Sequence, residues 1–367
     1  MARSNGSASA LLFVTALAGG LLLTVAGLLW SGAADGPARR LRSASAEVTD
    51  GSVTAVVDSV IEERHPLRDA ALAVLAAGRY VLFGEALGEA VVGREGMLFT
   101  LEEFERHPHD ERVLAERLDE IVRIRDALRA REIALVVAIL PSKARVLSAD
   151  LSARWAELAD HHRYDEALQR LRLGSVHVVG AAESLATPGG QRRFFARDTH
   201  WTPQGSAAVA GQIAATAEEA GLLQGIDRVA YQRVSDGTAP VPGDLMRFLP
   251  VGRWRRVLGL PEETAEVYRA SQPEGAGALG LFDELSIPVA LVGTSFSRDP
   301  RWGFEAALKV ALEADVLNVA EEGEGPFEPM RAYLSGETIS EVPPRLVVWE
   351  IPERYLTLAQ DDVRASL

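Results

Sequence analysis

Apolar and polar positions fall along this chain in blocks whose period changes, and each period suggests an element. Residues 133–140, Ile-Ala-Leu-Val-Val-Ala-Ile-Leu, are apolar without a break. A run of that length, rich in branched side chains, predicts a strand buried on both faces, as in a parallel sheet. Shorter runs at 175–180 (SVHVVG), 288–293 (PVALVG) and 345–351 (RLVVWEI) predict three more strands. Between them the spacing turns helical. An amphipathic, charge-dense helix is expected over 111–131, another over about 151–172, and another from about 301 to 314. Thr202-Pro203 predicts a helix start, with Thr as N-cap and Pro as first helical residue, running to about Ala220 before Gly221. From Val53 to about Leu87 two helices are expected, broken at His65-Pro66. They lead into VVGREGMLFT, a short strand with a turn at Gly93 and Gly96. Strands alternating with helices predict an α/β sandwich with a mostly parallel sheet.

One stretch is too long for such a layer. Ala10 to Trp30 reads ALLFVTALAGGLLLTVAGLLW, without a charge. Roughly 20 apolar residues span a bilayer core as a helix. The run exceeds the usual apolar region of a cleaved signal, so an uncleaved transmembrane anchor is expected, with cleavage near residues 31–34 as the alternative. On this reading residues 1–9 are cytoplasmic, 10–30 span, 31–52 (SGAADGPARRLRSASAEVTDGS, small and polar) link, and 53–367 fold as the working domain. The arginines oppose export of that domain. Only Arg3 precedes the span, whereas Arg39, Arg40 and Arg42 follow it. Export is nonetheless expected, because of the chemistry below.

Composition narrows the functions. The chain carries a formal charge of −14 and no basic run, so nucleic acid is not an expected partner. Arg247, Arg253, Arg255 and Arg256 make the one candidate basic patch, relevant if the substrate is itself an anion. There is no cysteine, which excludes disulfides, thiolate metal sites and cysteine nucleophiles.

Two short motifs can carry chemistry. Gly293-Thr294-Ser295-Phe296-Ser297 falls where a buried strand ends, shortly before a helix. A hydroxyl there projects from the C-terminal edge of the sheet, where open α/β sheets place their sites. The Ser295 N–H can face a developing oxyanion. The second glycine of a nucleophile elbow is missing, and on its own such a turn more often serves structure. Arg197-Asp198-Thr199-His200-Trp201-Thr202-Pro203 offers an imidazole base and, two residues earlier, a carboxylate to hold its tautomer. Taken alone, an Asp cap beside a packed His-Trp pair explains it better. A metal site built from Asp198, His200, His161 and His162 lacks ligand spacing.

Together the motifs supply nucleophile, base and acid, and here the chain resembles a known family. GTSFS, DTHW, VVGREGMLF, Gly243-Asp244-Leu245 and the closing VVWEIPERY look like the alginate O-acetyltransferase family of AlgJ and AlgX, over about residues 55–360. The resemblance implies an SGNH-hydrolase-like three-layer α/β/α sandwich in the bacterial periplasm, here preceded by one N-terminal transmembrane helix in the inner membrane. It implies Ser295 as nucleophile, with His200 and Asp198 completing a triad in permuted order. Phe296 departs from the tyrosine common at that position. The chain stops soon after VVWEIPERY, which leaves no room for the carbohydrate-binding module of the AlgX branch and likens it more to AlgJ. Weaker expectations attach to Tyr333 and Arg331, in a segment resembling one near the family's site. Tyr333 is a candidate donor to an oxyanion or sugar hydroxyl. Trp201 is a candidate sugar-stacking ring, Lys143 a candidate substrate contact at a strand end, and Asp244 a second candidate acid. The resemblance further implies a polysaccharide acceptor, a membrane-bound O-acyltransferase as acetyl donor, and no metal or soluble cofactor. The alternatives are an acetyl-esterase using the same triad, and a non-catalytic subunit of a polysaccharide secretion complex.

Overall fold

The computed structural model describes residues 68–159, 162–186, 191–273 and 287–358. The apolar run 10–30, the linker 31–52, the helix expected before His65 and His161 lie outside them. Among the described residues no helix is long and apolar enough to cross a membrane. The chain divides into two compact units. The smaller contains helix α1 (Arg68–Phe83) and the segment 249–258, and the larger contains the α/β layers.

In the larger unit β1 (Ala90–Val92) and β2 (Leu98–Thr100) form an antiparallel hairpin across the Gly93–Gly96 turn. After α2 (Asp110–Arg129) comes β3 (Ala134–Leu140), then α3 (Arg163–Leu173) and β4 (His177–Gly180). α4 (Pro203–Glu219) precedes a long hairpin, β5 (Gln232–Val241) and β6 (Glu263–Ser271). β7 (Val289–Val292), α5 (Phe304–Leu312), β8 (Val316–Asn318), α6 (Phe327–Ser335) and β9 (Leu346–Pro352) complete the fold. The five-stranded sheet runs β4-β3-β9-β7-β8, parallel throughout, so the last strand lies in its centre.

The uninterrupted apolar runs follow from that position. Leu135, Val137, Ile139, Val347, Trp349 and Ile351 point into a core roofed by α2, α3 and α6. Val136, Ala138, Leu140, Leu346 and Val348 point the other way, under α4 and α5. Each face of β9 is therefore covered, as buried parallel strands require. α4 starts as its sequence predicts. Thr202 Oγ1 accepts the Gly205 N–H at 3.2 Å, a cap of about 1 kcal/mol.

Three expectations are corrected. The helix expected over 151–172 is two, Ala153–Ala159 and α3. The one expected from Arg301 begins at Phe304, after a tight turn over Pro300–Trp302 that ends on Gly303 at φ 65°. The β5–β6 hairpin and the short β8 were not foreseen. Only one residue of each hairpin strand is buried, so neither carries the apolar run that marked the central strands.

Candidate active site

Two loops meet at the C-terminal edge of the sheet. The first leaves β7. Thr294 caps a single helical turn, Ser295–Arg298, its Oγ1 accepting the Phe296 N–H at 3.3 Å. The N–H groups of Ser297 and Arg298 close onto the Thr294 carbonyl at 2.9 and 3.0 Å. Beneath this turn sits Glu350, fully buried on β9. Its Oε2 accepts the Thr294 N–H at 2.8 Å, the Ser297 hydroxyl at 2.9 Å and the Thr294 hydroxyl at 3.0 Å. Gly293 makes the approach possible: a Cβ there would stand 2.5 Å from that oxygen.

The second loop precedes α4 and is pinched at its base by a bridge between Phe194 and Trp201. At its tip Asp198 Oδ1 accepts the His200 N–H at 3.0 Å, and the His200 Nδ1 lies 2.6 Å from the same oxygen. Asp198 Oδ2 accepts the Asp244 N–H at 3.1 Å. An ionised carboxylate only accepts, so Nδ1 carries its proton toward Asp198 and Nε2 is left to accept. That Nε2 is 2.8 Å from the Ser295 Oγ. The ring is clamped, with Trp302 stacked on it at 5.0 Å and 18° and Phe296 tilted against it at 4.6 Å.

The two carboxyls beside this arrangement are tuned in opposite senses. Burial alone would raise Asp198. The hydrogen bond and charge of His200, with the His200 and Asp244 N–H groups, outweigh burial and hold the carboxyl below its usual range. Glu350 is raised, because its complete burial is opposed mainly by neutral donors. The arrangement can therefore take a proton from Ser295, hold it on an imidazolium beside a carboxylate, and return it. That is the sequence of proton movements an acyl transfer through serine needs.

Residues 90–353 match the family described as an SGNH hydrolase-like domain, acetyltransferase AlgX. The chain belongs to that family. It is 36% identical over 318 residues to the "Probable alginate O-acetylase AlgJ" of Azotobacter vinelandii, across 86% of this chain and 81% of the relative. The "Alginate biosynthesis protein AlgX" of the same organism is more distant, at 28% over 253 residues, 65% of this chain and 49% of the relative. The solved "O-Acetyltransferase Domain of Pseudomonas putida AlgJ" superposes with a TM-score of 0.65 at 34% identity, covering 76% of this chain and 99% of that one. Within the AlgX family this chain thus stands nearer these AlgJ proteins than that AlgX.

The structure separates the other candidates of this AlgX-family chain. Lys143 is not a surface contact. It is 1% exposed, and its Nζ donates to the carbonyls of Leu98, Ala196 and Asp198 at 2.7–3.0 Å. Burial lowers its pKa against the pull of Glu103, Asp244 and Asp198, while burial raises the neighbouring Glu103. The ammonium is a strut between the β2 end and the His200 loop. Trp201 is wholly buried, packed on Phe296 and Phe304, and has no face to offer a sugar. Arg331 is held on α6 and α2 by Glu328 and Glu120. Tyr333 is buried too, and its hydroxyl finds no hydrogen-bond partner; burial pushes it up to about 12.

That tyrosine lines an open cleft of about 650 Å³ with Arg298, Glu321, Glu322 and Thr338. The Glu321 N–H donates to the Gly293 carbonyl at 3.2 Å, so the cleft wall is tied to the Ser295 turn. A second cavity, of about 310 Å³, lies between that turn and Tyr268 of β6. Arg298, exposed and three residues beyond Ser295, borders both.

Asp244, the second candidate acid, lies 3.9 Å from His200 Nδ1 but accepts the N–H and hydroxyl of Thr199. Asp198, His200 and Asp244 offer ligand atoms within 4.8 Å of one another. Each carboxylate oxygen already accepts a proton donor and the ring nitrogen already donates, which suits a hydrogen-bond network better than a cation shell. His162, the described member of the His161-His162 pair, is not in that group. The sequence motifs did not mark Glu350 as the brace of the Ser295 turn, and they missed Trp302, Glu103 and Glu263. Glu263 accepts the Ala196 and Arg197 N–H groups at 2.9 and 3.0 Å, and each of these residues is 40 or more positions along the chain from the segment it serves.

Proposed function

We propose that this chain is an O-acetyltransferase that places acetyl groups on hydroxyls of an alginate-like exopolysaccharide, through an acetyl ester on Ser295. The observation that carries the reading is the Asp198–His200–Ser295 relay, 2.6 Å at one end and 2.8 Å at the other. The names of the AlgJ relatives and their solved domain support the acyl group and the polymer class.

In the first half-reaction the Ser295 Oγ attacks the acetyl carbonyl carbon while its proton passes to His200 Nε2. The tetrahedral adduct collapses, the donor's leaving group departs with that proton, and the acetyl group stays on Oγ. In the second, a sugar hydroxyl gives its proton to Nε2 and attacks the same carbonyl, and Ser295 recovers its proton as the sugar ester leaves. Asp198 stabilises the imidazolium in both halves. The Ser295 N–H, first in its turn, is the nearest backbone donor for the oxyanion. The cleft beside the turn would hold the polymer, with Arg298 answering a uronate carboxylate. A membrane-bound O-acyltransferase would supply acetyl from the other side of the bilayer. Residues 10–30 would anchor the chain in the inner membrane, leaving 53–367 in the periplasm.

Incubation with a small activated acetyl ester tests the reading. Mass spectrometry should find one acetyl on Ser295 of the parent and none in Ser295→Ala, and added oligouronate should remove the label as acetylated sugar. The same adduct pattern in both proteins would sink the nucleophile. Removal of the label as free acetate alone would make the protein an esterase.

A further inference from the structure

The smaller unit presents a surface that water does not favour. On α1, Val74, Leu75, Val81, Leu82 and Phe83 are 63%, 53%, 64%, 74% and 69% exposed, while the small Ala73 and Ala76 are buried. The segment 249–258 adds Trp254 and Val257, 39% and 79% exposed. Of the eight large apolar side chains so exposed among the described residues, only Leu173 lies in the α/β unit. The two pieces adjoin: a Cβ on Gly252 would stand 3.7 Å from the Ala73 methyl carbon. A clustered apolar surface of this kind marks something that covers it.

Its charge identifies the cover. Arg253 and Arg256 are exposed on either side of Trp254, and the Arg253 guanidinium lies 5.3 Å from the indole centroid. The chain as a whole carries −14, so this cationic rim runs against its own background. Exposed apolar side chains and an indole, with exposed arginines in the same short segment, match the acyl boundary and anionic headgroups of a membrane. An anionic polymer would answer the arginines and leave Val81, Leu82 and Phe83 in water. An apolar protein face would cover those and leave the arginines without partners.

We propose that this face of the smaller unit lies on an anionic lipid bilayer. The inference rests in part on the proposed anchor at 10–30. Only residues 31–67 separate that anchor from α1, which keeps the unit within reach of the bilayer. At that effective concentration even a weak patch docks. The anchor holds the chain to the membrane, and the patch fixes how the smaller unit meets it.

Because the chain has no cysteine, one introduced thiol reports a single position. Full-length chain carrying Val257→Cys, labelled with an environment-sensitive dye, would be placed in lipid nanodiscs of uncharged lipid or with anionic phosphatidylglycerol. Leu173→Cys, equally exposed but on the α/β unit, is the reference. In anionic discs the dye at 257 should shift to the blue and be quenched by a lipid-borne quencher, while the dye at 173 should do neither. Arg253→Gln and Arg256→Gln, at exposed positions, should each lower the docked-to-undocked ratio roughly fivefold, and added salt should act alike. Absence of quenching at 257 in both discs overturns the proposal. So does a blue shift without quenching, which means protein covers the patch, or a shift produced only by added oligouronate. Co-elution of chain and disc reads the anchor separately. If that fails, the same label with preformed anionic vesicles still decides the patch.

Discussion

The loop that holds His200 and the turn that holds Ser295 each rest on a buried carboxyl, and the two carboxyls behave oppositely. Asp198 faces a ring that becomes a cation, together with two N–H groups, and its pKa is lowered despite burial. Glu350 faces one N–H and two hydroxyls, all neutral, and its pKa is raised. Both accept comparable numbers of hydrogen bonds, so the sign follows the charge of the donors. The support differs as well. The His200 loop is shared among Lys143, Glu263, Asp244 and an aromatic clamp. The Ser295 turn depends chiefly on one side chain from β9, with Asn318 donating to the Ser297 carbonyl at 2.9 Å. One reactive group is held redundantly, the other nearly at a single point.

The largest effect should come from the nucleophile. Ser295→Ala should lower acetyl transfer on the order of a millionfold with thermal unfolding unchanged, as measured by product formation and calorimetry. Asp198→Asn follows, at roughly ten-thousandfold, because the amide favours the wrong tautomer; Asp244→Asn should cost far less, and equal losses would mean the acid is shared. Glu350→Gln should come next, at about ten- to a hundredfold in kcat, since an amide has one acceptor oxygen where the carboxyl has two, and the Thr294 hydroxyl, which contacts both, then meets an NH₂ that only donates.

The same pair of variants separates the carboxyls by pH. The folded pKa of Asp198 lies below its unfolded value. Its stabilisation is complete above the ordinary carboxylate range near pH 4 and is lost as pH falls through the lowered value. Glu350 has the reverse sign: its contribution is complete below about pH 4 and is lost as pH rises through the raised value. Denaturant titrations should therefore show the parent's advantage over Asp198→Asn shrinking as pH falls, and its advantage over Glu350→Gln shrinking as pH rises. Parallel curves would remove the distinction. Gly293→Ala, which drives a methyl into Glu350, should destabilise by about 1–3 kcal/mol in the same titrations. Smallest of all, Arg298→Ala should raise KM for an oligouronate several-fold and leave formation of the acetyl-enzyme alone; a fall in that first step would place the arginine in the chemistry itself.

Much of this could be read along the chain. Four strands announced themselves because a strand covered on both faces must be apolar at every position, and Thr202-Pro203 fixed the start of α4 through its own cap. Local chemistry also pointed to Ser295, His200 and Asp198, since a hydroxyl at a strand end and a carboxylate two residues from an imidazole can be recognised without neighbours. Lys143 as a substrate contact and Trp201 as a sugar-stacking ring fail for the opposite reason. A lysine after a strand and a tryptophan beside a histidine look exposed until three carbonyls and a packed core close around them. Which carboxyl braces the Ser295 turn was decided by the sheet order alone. Placing β9 beside β7 brings Glu350 under Gly293 from more than fifty residues away. Periodicity and capping are properties of neighbours in sequence, so the chain states them directly. Burial, strut and brace are properties of neighbours in space, and they exist only once the layers have closed.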